Sequence, residues 1–227
     1  MRARAQSCHF IVASAILFSM PLPACDAQLV QIREAKLLQI VDAALVDAAH
    51  RAGDFLACRI GCTQCCHGAF AINALDAARL RVGMASLRTT DPALAAEIER
   101  RARVWLAKYA SNFPGDSETG ILGTSDTDQA SFEGFANDAA CPALDPASGR
   151  CDVYAWRPMT CRVFGPPVQS VNENGAEGLG HCELCFIGAN PEQVAACEMP
   201  VPHELEAKLL DEMNSTAETV VAFALIE

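Results

Sequence analysis

Aromatic side chains are scarce, 6% of 227 residues, and so are bases: 17 Lys and Arg stand against 28 Asp and Glu, a net charge of −11. The shortage is worst toward the C-terminus, where residues 163–227 hold eleven acids and a single base, Lys208. A nucleic-acid surface needs clustered Lys and Arg to displace counterions, so that partner is excluded. Long apolar runs are missing too. The run from Phe10 to Met20 has eleven residues, against the roughly 18 to 20 that a membrane-spanning helix requires, and no transmembrane span is implied. No G-x-G-x-x-G, phosphate loop, H-E-x-x-H or G-x-S-x-G occurs, which removes the commonest nucleotide, zinc-protease and serine-hydrolase chemistries. Neither an internal repeat nor a convincing alternation of strand type is found. What remains, 51% apolar and 20% charged residues, is an ordinary globular balance.

Residues 1–27 have the layout of a secretory leader: two arginines, the short apolar run, then Pro21 and Pro23 with small residues after them. Leu22, Pro23, Ala24 and Cys25 loosely match a lipoprotein cleavage box, in which proline fits awkwardly. The competing reading starts translation at Met20. A genuine leader gives a periplasmic or secreted protein, and a start at Met20 gives a cytoplasmic one. Residues 28–227 are then a single domain.

The periodicities in that domain are helical. Leu37, Val41, Ala44 and Ala48, widened by Leu38 and Leu45, predict an amphipathic helix between Leu29 and Ala57. Asn73 opens a second helix that runs to a stop at Gly83, and Asp91 with Pro92 opens a third through Leu94, Ile98, Ala102, Trp105 and Tyr109. Asn190 and Pro191 begin a short one, and Leu205, Leu209, Met213, Ala217, Val220 and Ala224 stripe a last one. Residues 109–149, with seven acids and no Lys or Arg, read as a long surface loop. The fold expected is mainly α, four or five helices packed around or beside an irregular cysteine-rich lobe.

Cysteine is the abundant residue, 12 of 227. One cluster is Cys58, Cys62, Cys65 and Cys66, whose steps of four, three and one place sulfurs on one side of a helical turn. The side chains of the vicinal pair diverge, so Cys65 and Cys66 are expected to serve different partners, or one to ligate while the other packs. A second cluster is Cys141, Cys151 and Cys161, and a third is Cys182, Cys185 and Cys197. Turns with C-x-x-C spacing present thiolates in pairs to zinc or to iron–sulfur clusters. A disulfide framework, favoured by a genuine leader, a redox dithiol and plain buried cysteines compete with that reading. Zinc and iron both accept four thiolates, so the spacing leaves metal and site number open.

The run CxxxCxxCC at Cys58 to Cys66, followed by C-P-x-L at Cys141 and C-x-x-Y-x-x-R-P-x-x-C-R from Cys151 to Arg162, resembles the YkgJ-type cysteine cluster family. The family is described as chelating zinc or iron. Its members are generally small bacterial proteins, mainly cytoplasmic, and flagellin lysine methylase is a larger relative. The resemblance implies metal ligands at Cys58, Cys62, Cys65, Cys66, Cys141, Cys151 and Cys161; Cys182, Cys185 and Cys197 lie outside the matched blocks and either complete that site or build a second.

Arg157 and Arg162 bracket Cys161, where they either hydrogen-bond thiolates and offset a cluster's negative charge or pair with the acidic residues of 109–149. Pro158 sets the turn that aims Cys161, and Tyr154 packs. His67 and His181 each adjoin a cysteine and offer a nitrogen to a Cys3His site, against a solvated or capping role. The reading is a metal-binding protein whose thiolates hold an iron–sulfur cluster, [4Fe–4S] favoured, or zinc, in a structural or electron-transfer role with a redox partner protein. A cluster-dependent modifying enzyme of the methylase kind, or an iron–sulfur oxidoreductase, has no catalytic motif to carry it. An exported, disulfide-stapled interaction domain is the further alternative.

Overall fold

A computed structural model describes residues 24–171 and 175–226, with side chains from Val30 onward. The leader-like segment, Cys8 and the side chain of Cys25 fall outside the described residues. Along the chain run α1 (Ala24–Ala52), β1 (Ile72–Asn73), α2 (Ala74–Thr90), α3 (Pro92–Tyr109), β2 (Gly115–Asp116), β3 (Ile121–Leu122), α4 (Asp126–Glu133), β4 (Leu144–Asp145) and β5 (Arg150–Cys151). Then come α5 (Met159–Val163), β6 (Val168–Val171), β7 (Glu177–Gly180), α6 (Pro191–Ala196), α7 (His203–Glu212), β8 (Glu218–Thr219) and α8 (Val221–Ala224). The fold is mainly α. Eight helices are described, and five of them have eight residues or more. The strands make four two-stranded antiparallel ribbons, β1 with β8, β2 with β3, β4 with β5 and β6 with β7. Among the described residues no helix is long and apolar enough to cross a membrane.

Helix α1 forms over a stretch free of glycine and proline and buries Val30, Leu37, Val41, Ala48 and Ala52, one stripe at steps of seven and four. That stripe packs on α7 through Leu209, with Leu75, Met159 and Met199. Both expected caps are present: Asn73 accepts from the Asp76 N–H at 3.0 Å, and Asp91 accepts from the Leu94 N–H at 3.1 Å. Helices α2 and α3 meet along Leu80, Met84, Ile98 and Ala102, and α8 closes this core with Val221, Ala224 and Leu225.

Three expectations give way to tertiary packing. Gly83 does not stop α2, which continues to Thr90. A Cβ at Gly83 would lie 2.5 Å from the Trp156 ring, so the glycine is a notch that admits the indole, at about 1 kcal/mol of helix propensity. Residues 109–149 are not a bare loop, because Phe113, Phe135 and Ala139 bury against Trp105 and Ala222. Helix α4 has its own capping box, Ser125 with Asp128. The last helical stripe is two helices, separated by Asn214 at φ +49° and by β8, whose Thr219 pairs with Ile72 and Glu218 with Asn73. Its apolar residues serve different cores, Leu209 one and Ala224 another.

Replacing Gly83 by valine drives side-chain atoms into the indole, and overpacking of this kind costs about 1–3 kcal/mol. The midpoint of thermal unfolding is expected to fall by roughly 2–4 °C for each of those kcal/mol. An unchanged Tm in calorimetry would refute the notch.

Candidate metal centre

The residues between α1 and β1 carry four cysteines but are not one helical face. Cys62 N–H closes a turn on Arg59 O at 2.9 Å, with Gly61 at φ +89°, and Cys66 N–H closes the next turn on Thr63 O at 2.8 Å. Two tight turns in succession divide the four sulfurs, Cys58 and Cys62 to one group, Cys65 and Cys66 to another.

The first group is completed by Cys182 and Cys185 from the turn after β7. Cys185 N–H closes that turn on Cys182 O at 2.8 Å, and the Cys185 thiol raises the proton affinity of both Cys58 and Cys182. Cys62 adds its charge to both Cys58 and Cys182. The N–H of Ala57 donates to Cys185 Sγ at 3.4 Å, and Phe186 N–H to Phe55 O at 2.8 Å, with the two rings stacked 5.8 Å apart. Cys197 packs in the apolar cluster behind Cys182 and Cys185.

The second group takes Cys65 and Cys66 together with Cys141, Cys151 and Cys161. The vicinal thiols lie close enough for each to alter the other's proton affinity. Cys141 is fixed beside them because its N–H donates to Cys66 O at 2.8 Å and His67 bridges Ala140. Register in the β4–β5 ribbon sets Cys151 opposite Leu144, and Leu144 N–H in turn bonds Cys141 O at 3.0 Å. Arg101 of α3 reaches across to donate to Pro142 O at 2.8 Å and pairs with Asp152.

Cys161 rides on α5, which is held by charges buried in the helix layer. Asp76 of α2 accepts from Met159 N–H at 2.9 Å and from Arg79 Nη1 at 2.8 Å. Arg79 also donates to Arg157 O at 2.9 Å and to Glu34 of α1 at 2.9 Å. Burial pushes the Asp76 carboxyl above its usual range, while Arg79 and the Met159 N–H pull it back. Arg162 does not turn to a thiol or to residues 109–149. Its guanidinium lies against both carboxylate oxygens of Asp42 on α1, at 2.7 and 2.9 Å, and against Ala155 O at 2.6 Å. Arg157 does reach the thiols electrically: it favours the thiolate at Cys65 and Cys151, while stacking 3.9 Å over the Tyr154 ring. His67 and His181 are exposed, and His181 lies with Nδ1 3.1 Å from Cys182 O and its ring against Phe186.

All ten described cysteines are free thiols. Cys58 is exposed at the surface, yet partial desolvation and then Cys185 raise its thiol. Burial also pushes Cys141 up to about 12 and raises Cys151, Cys161 and Cys182. Within the vicinal pair the Cys66 hydrogen bond brings Cys65 down to about 6, and Cys66 rises in return. Crowded sulfurs that cannot shed protons together are the donor set that a soft, thiophilic cation satisfies, since the cation replaces the protons and cancels the repulsion. Among the described residues no three donors are already converged on one point, so such a cation has to draw the sulfurs in. The residues that aim the site, Asp42, Asp76, Arg79 and Arg101, were not read from the sequence. Their only signal there is a charge on an apolar helix face.

The profile of a protein family, CxxCxxCC, described as "Putative zinc- or iron-chelating domain", matches residues 57–183, more than half of the chain. The first interval here holds one residue more than that name spells, and the turn at Gly61 absorbs it. No curated protein and no solved structure matches. Asp76→Ala leaves Arg79 short of a buried partner and the Met159 N–H without an acceptor, which is expected to cost about 3–5 kcal/mol. Urea unfolding measures it, and a loss under 1 kcal/mol would remove Asp76 from this role.

Proposed function

Because the chain belongs to the CxxCxxCC family of zinc- or iron-chelating domains, we propose that Cys65, Cys66, Cys141, Cys151 and Cys161 supply the thiolates of an iron–sulfur cluster of the [4Fe–4S] type. The observation that carries this is the gathering of five thiols from four separate segments next to one guanidinium, Arg157, which already favours thiolate at two of them. Four thiolates are what such a cluster takes, and the fifth sulfur then packs beside it. A bound cluster supplies one-electron chemistry. The protein's own contribution is to orient the ligands through the Asp76–Arg79 pair, keep the sulfurs largely out of water, and place a fixed positive charge that raises the reduction potential. An electron-transfer role implies a redox partner protein, and a purely structural role implies none.

Full-length protein purified without oxygen is expected to carry iron and sulfide in equal amounts with a broad visible absorption band. Zinc without colour would replace the cluster by a zinc site in the same thiolates, and protein free of both metals, or with its cysteines oxidised in pairs, would overturn the proposal. Cys161→Ser is expected to lower iron content and leave the segment from Cys141 to Cys185 open to protease, because metal ligation supplies on the order of 10 kcal/mol to segments of this kind. Unchanged iron and unchanged proteolysis would exclude Cys161 as a ligand.

Metal uptake must also release protons. Cys141, Cys151 and Cys161 hold theirs above the ordinary thiol range, so metal retention against a chelator is expected to strengthen as pH rises and weaken as it falls. A retention independent of pH between 6 and 8 would mean that these thiols are not the ligands.

A further inference from the structure

Ile60, Phe164, Leu184 and Ile187 are large apolar side chains left in solvent, Ile60 and Ile187 with 81% and 76% of their area exposed. They sit on three segments that the fold ties together: the turn after α1, the chain after α5 and the turn after β7. Cys182 N–H donates to Gly165 O at 3.2 Å, Phe186 N–H to Phe55 O at 2.8 Å, and Gln64 Nε2 to Glu183 at 2.6 Å. A Cβ on Gly165 would lie 2.8 Å from Cys58 Sγ, so the residue after Phe164 touches the first segment as well. We propose that these four side chains form a docking surface for a basic redox protein, whose own face carries lysine or arginine around an apolar centre. The inference deepens the electron-transfer reading above and rests on it.

Backbone strain helps to hold this surface out in water. Phe186 stands at φ +58°, a conformation unfavourable for a residue with a side chain, and Gly188 follows at φ +77°. Phe186 is buried and stacked on Phe55, and the reversal at 186–188 leaves Ile187 outside. Gly61, at φ +89°, forms the tip beside Ile60. An aliphatic side chain gains nothing from water, so strain maintained to present one marks a binding surface.

Charge decides what covers it. Residues 53–64 and 182–192 hold the acids Asp54, Glu183 and Glu192 against one base, Arg59, and the whole chain carries −11. All three of those acidic residues are exposed. A second copy would bring the same acids to the same rim, and like charges would meet. A basic partner meets opposite charges there, which also speeds its encounter. The surface adjoins the proposed ligands. Gly149, on the hairpin that leads into Cys151, comes so near Gly61 that a Cβ on it would be 3.2 Å from the Gly61 Cα, and Gln64 immediately precedes Cys65. In the transfer itself the protein gives up one electron and the acceptor gains it, with no bond made or broken.

The probe is cytochrome c, a basic haem protein, mixed with full-length protein purified without oxygen. Calorimetry at low salt is expected to show binding that weakens by roughly tenfold in Ile60→Ser/Ile187→Ser, and again in wild type when salt is raised to about 0.3 M. Stopped-flow reduction of the ferric haem by dithionite-reduced protein is expected to slow by the same factor. Val82→Ser/Val104→Ser changes two exposed valines on α2 and α3 and is expected to match wild type. None of these substitutions removes a thiol, and iron content is expected to be equal in all three proteins. Wild-type affinity in the Ile60/Ile187 variant, an equal loss in the valine variant, or binding indifferent to salt would overturn the docking surface. So would no binding at all, binding by iron-loaded protein without haem reduction, or a dimer of this chain that Ile60→Ser/Ile187→Ser dissociates in sedimentation. Patch-dependent binding by protein devoid of iron would leave the docking surface standing and sink the electron-transfer reading instead.

Discussion

The placement of the cysteine lobe depends on a carboxylate and a guanidinium sealed between helices. Asp76 and Arg79 sit one turn apart on α2, both nearly out of water, and between them they hold the N–H of Met159 and the carbonyl of Arg157. Charges in such a place cost several kcal/mol each unless geometry and partners are in order. The chain through residues 157–159 meets that condition by giving Asp76 the Met159 N–H and Arg79 the Arg157 carbonyl, and it leads directly into Cys161. Arg162 extends the arrangement by joining the same segment to Asp42 of α1. Helices α1, α2 and α5 thus share one polar junction, and an irregular segment acquires the rigidity of the helices under it.

The thiols impose the opposite kind of constraint. The cysteine-bearing segments are anchored by their turns and by a few buried apolar side chains, Leu144, Val153, Met159 and Phe186, while several of their sulfurs raise one another's proton affinity. Under the proposed function, a cation in place of the protons turns that repulsion into cross-links between segments far apart in sequence. The helix layer and the sulfur groups are therefore complementary: one sets where the loops begin and end, and the other closes them.

Much of the helical framework was readable because its signals are local. Asn73 and Asp91 cap helices through bonds that span three residues, and the stripe on α1 needs only its own periodicity. Gly83 misled because a glycine within a helix and a glycine after one look alike without Trp156 in view. The last stripe misled because Asn214 and the pairing of β8 with β1 break what periodicity alone joins. Residues 109–149 were read from their charge, whereas their few aromatics, Phe113 and Phe135, decide where they pack.

The sequence by itself determined the chemistry: cysteines at knuckle spacing, an acidic surface, no nucleotide or hydrolase motif, and helices with their caps. Spacing along a chain states which sulfurs can lie close through a short turn, and it says nothing of which turns meet. Only the tertiary structure set Cys182 and Cys185 near Cys58, and Cys141, Cys151 and Cys161 near Cys65 and Cys66. It alone turned Arg162 to Asp42 and buried Asp76 with Arg79. Those pairings join residues up to 127 positions apart, and contacts of that range are set by how helices pack.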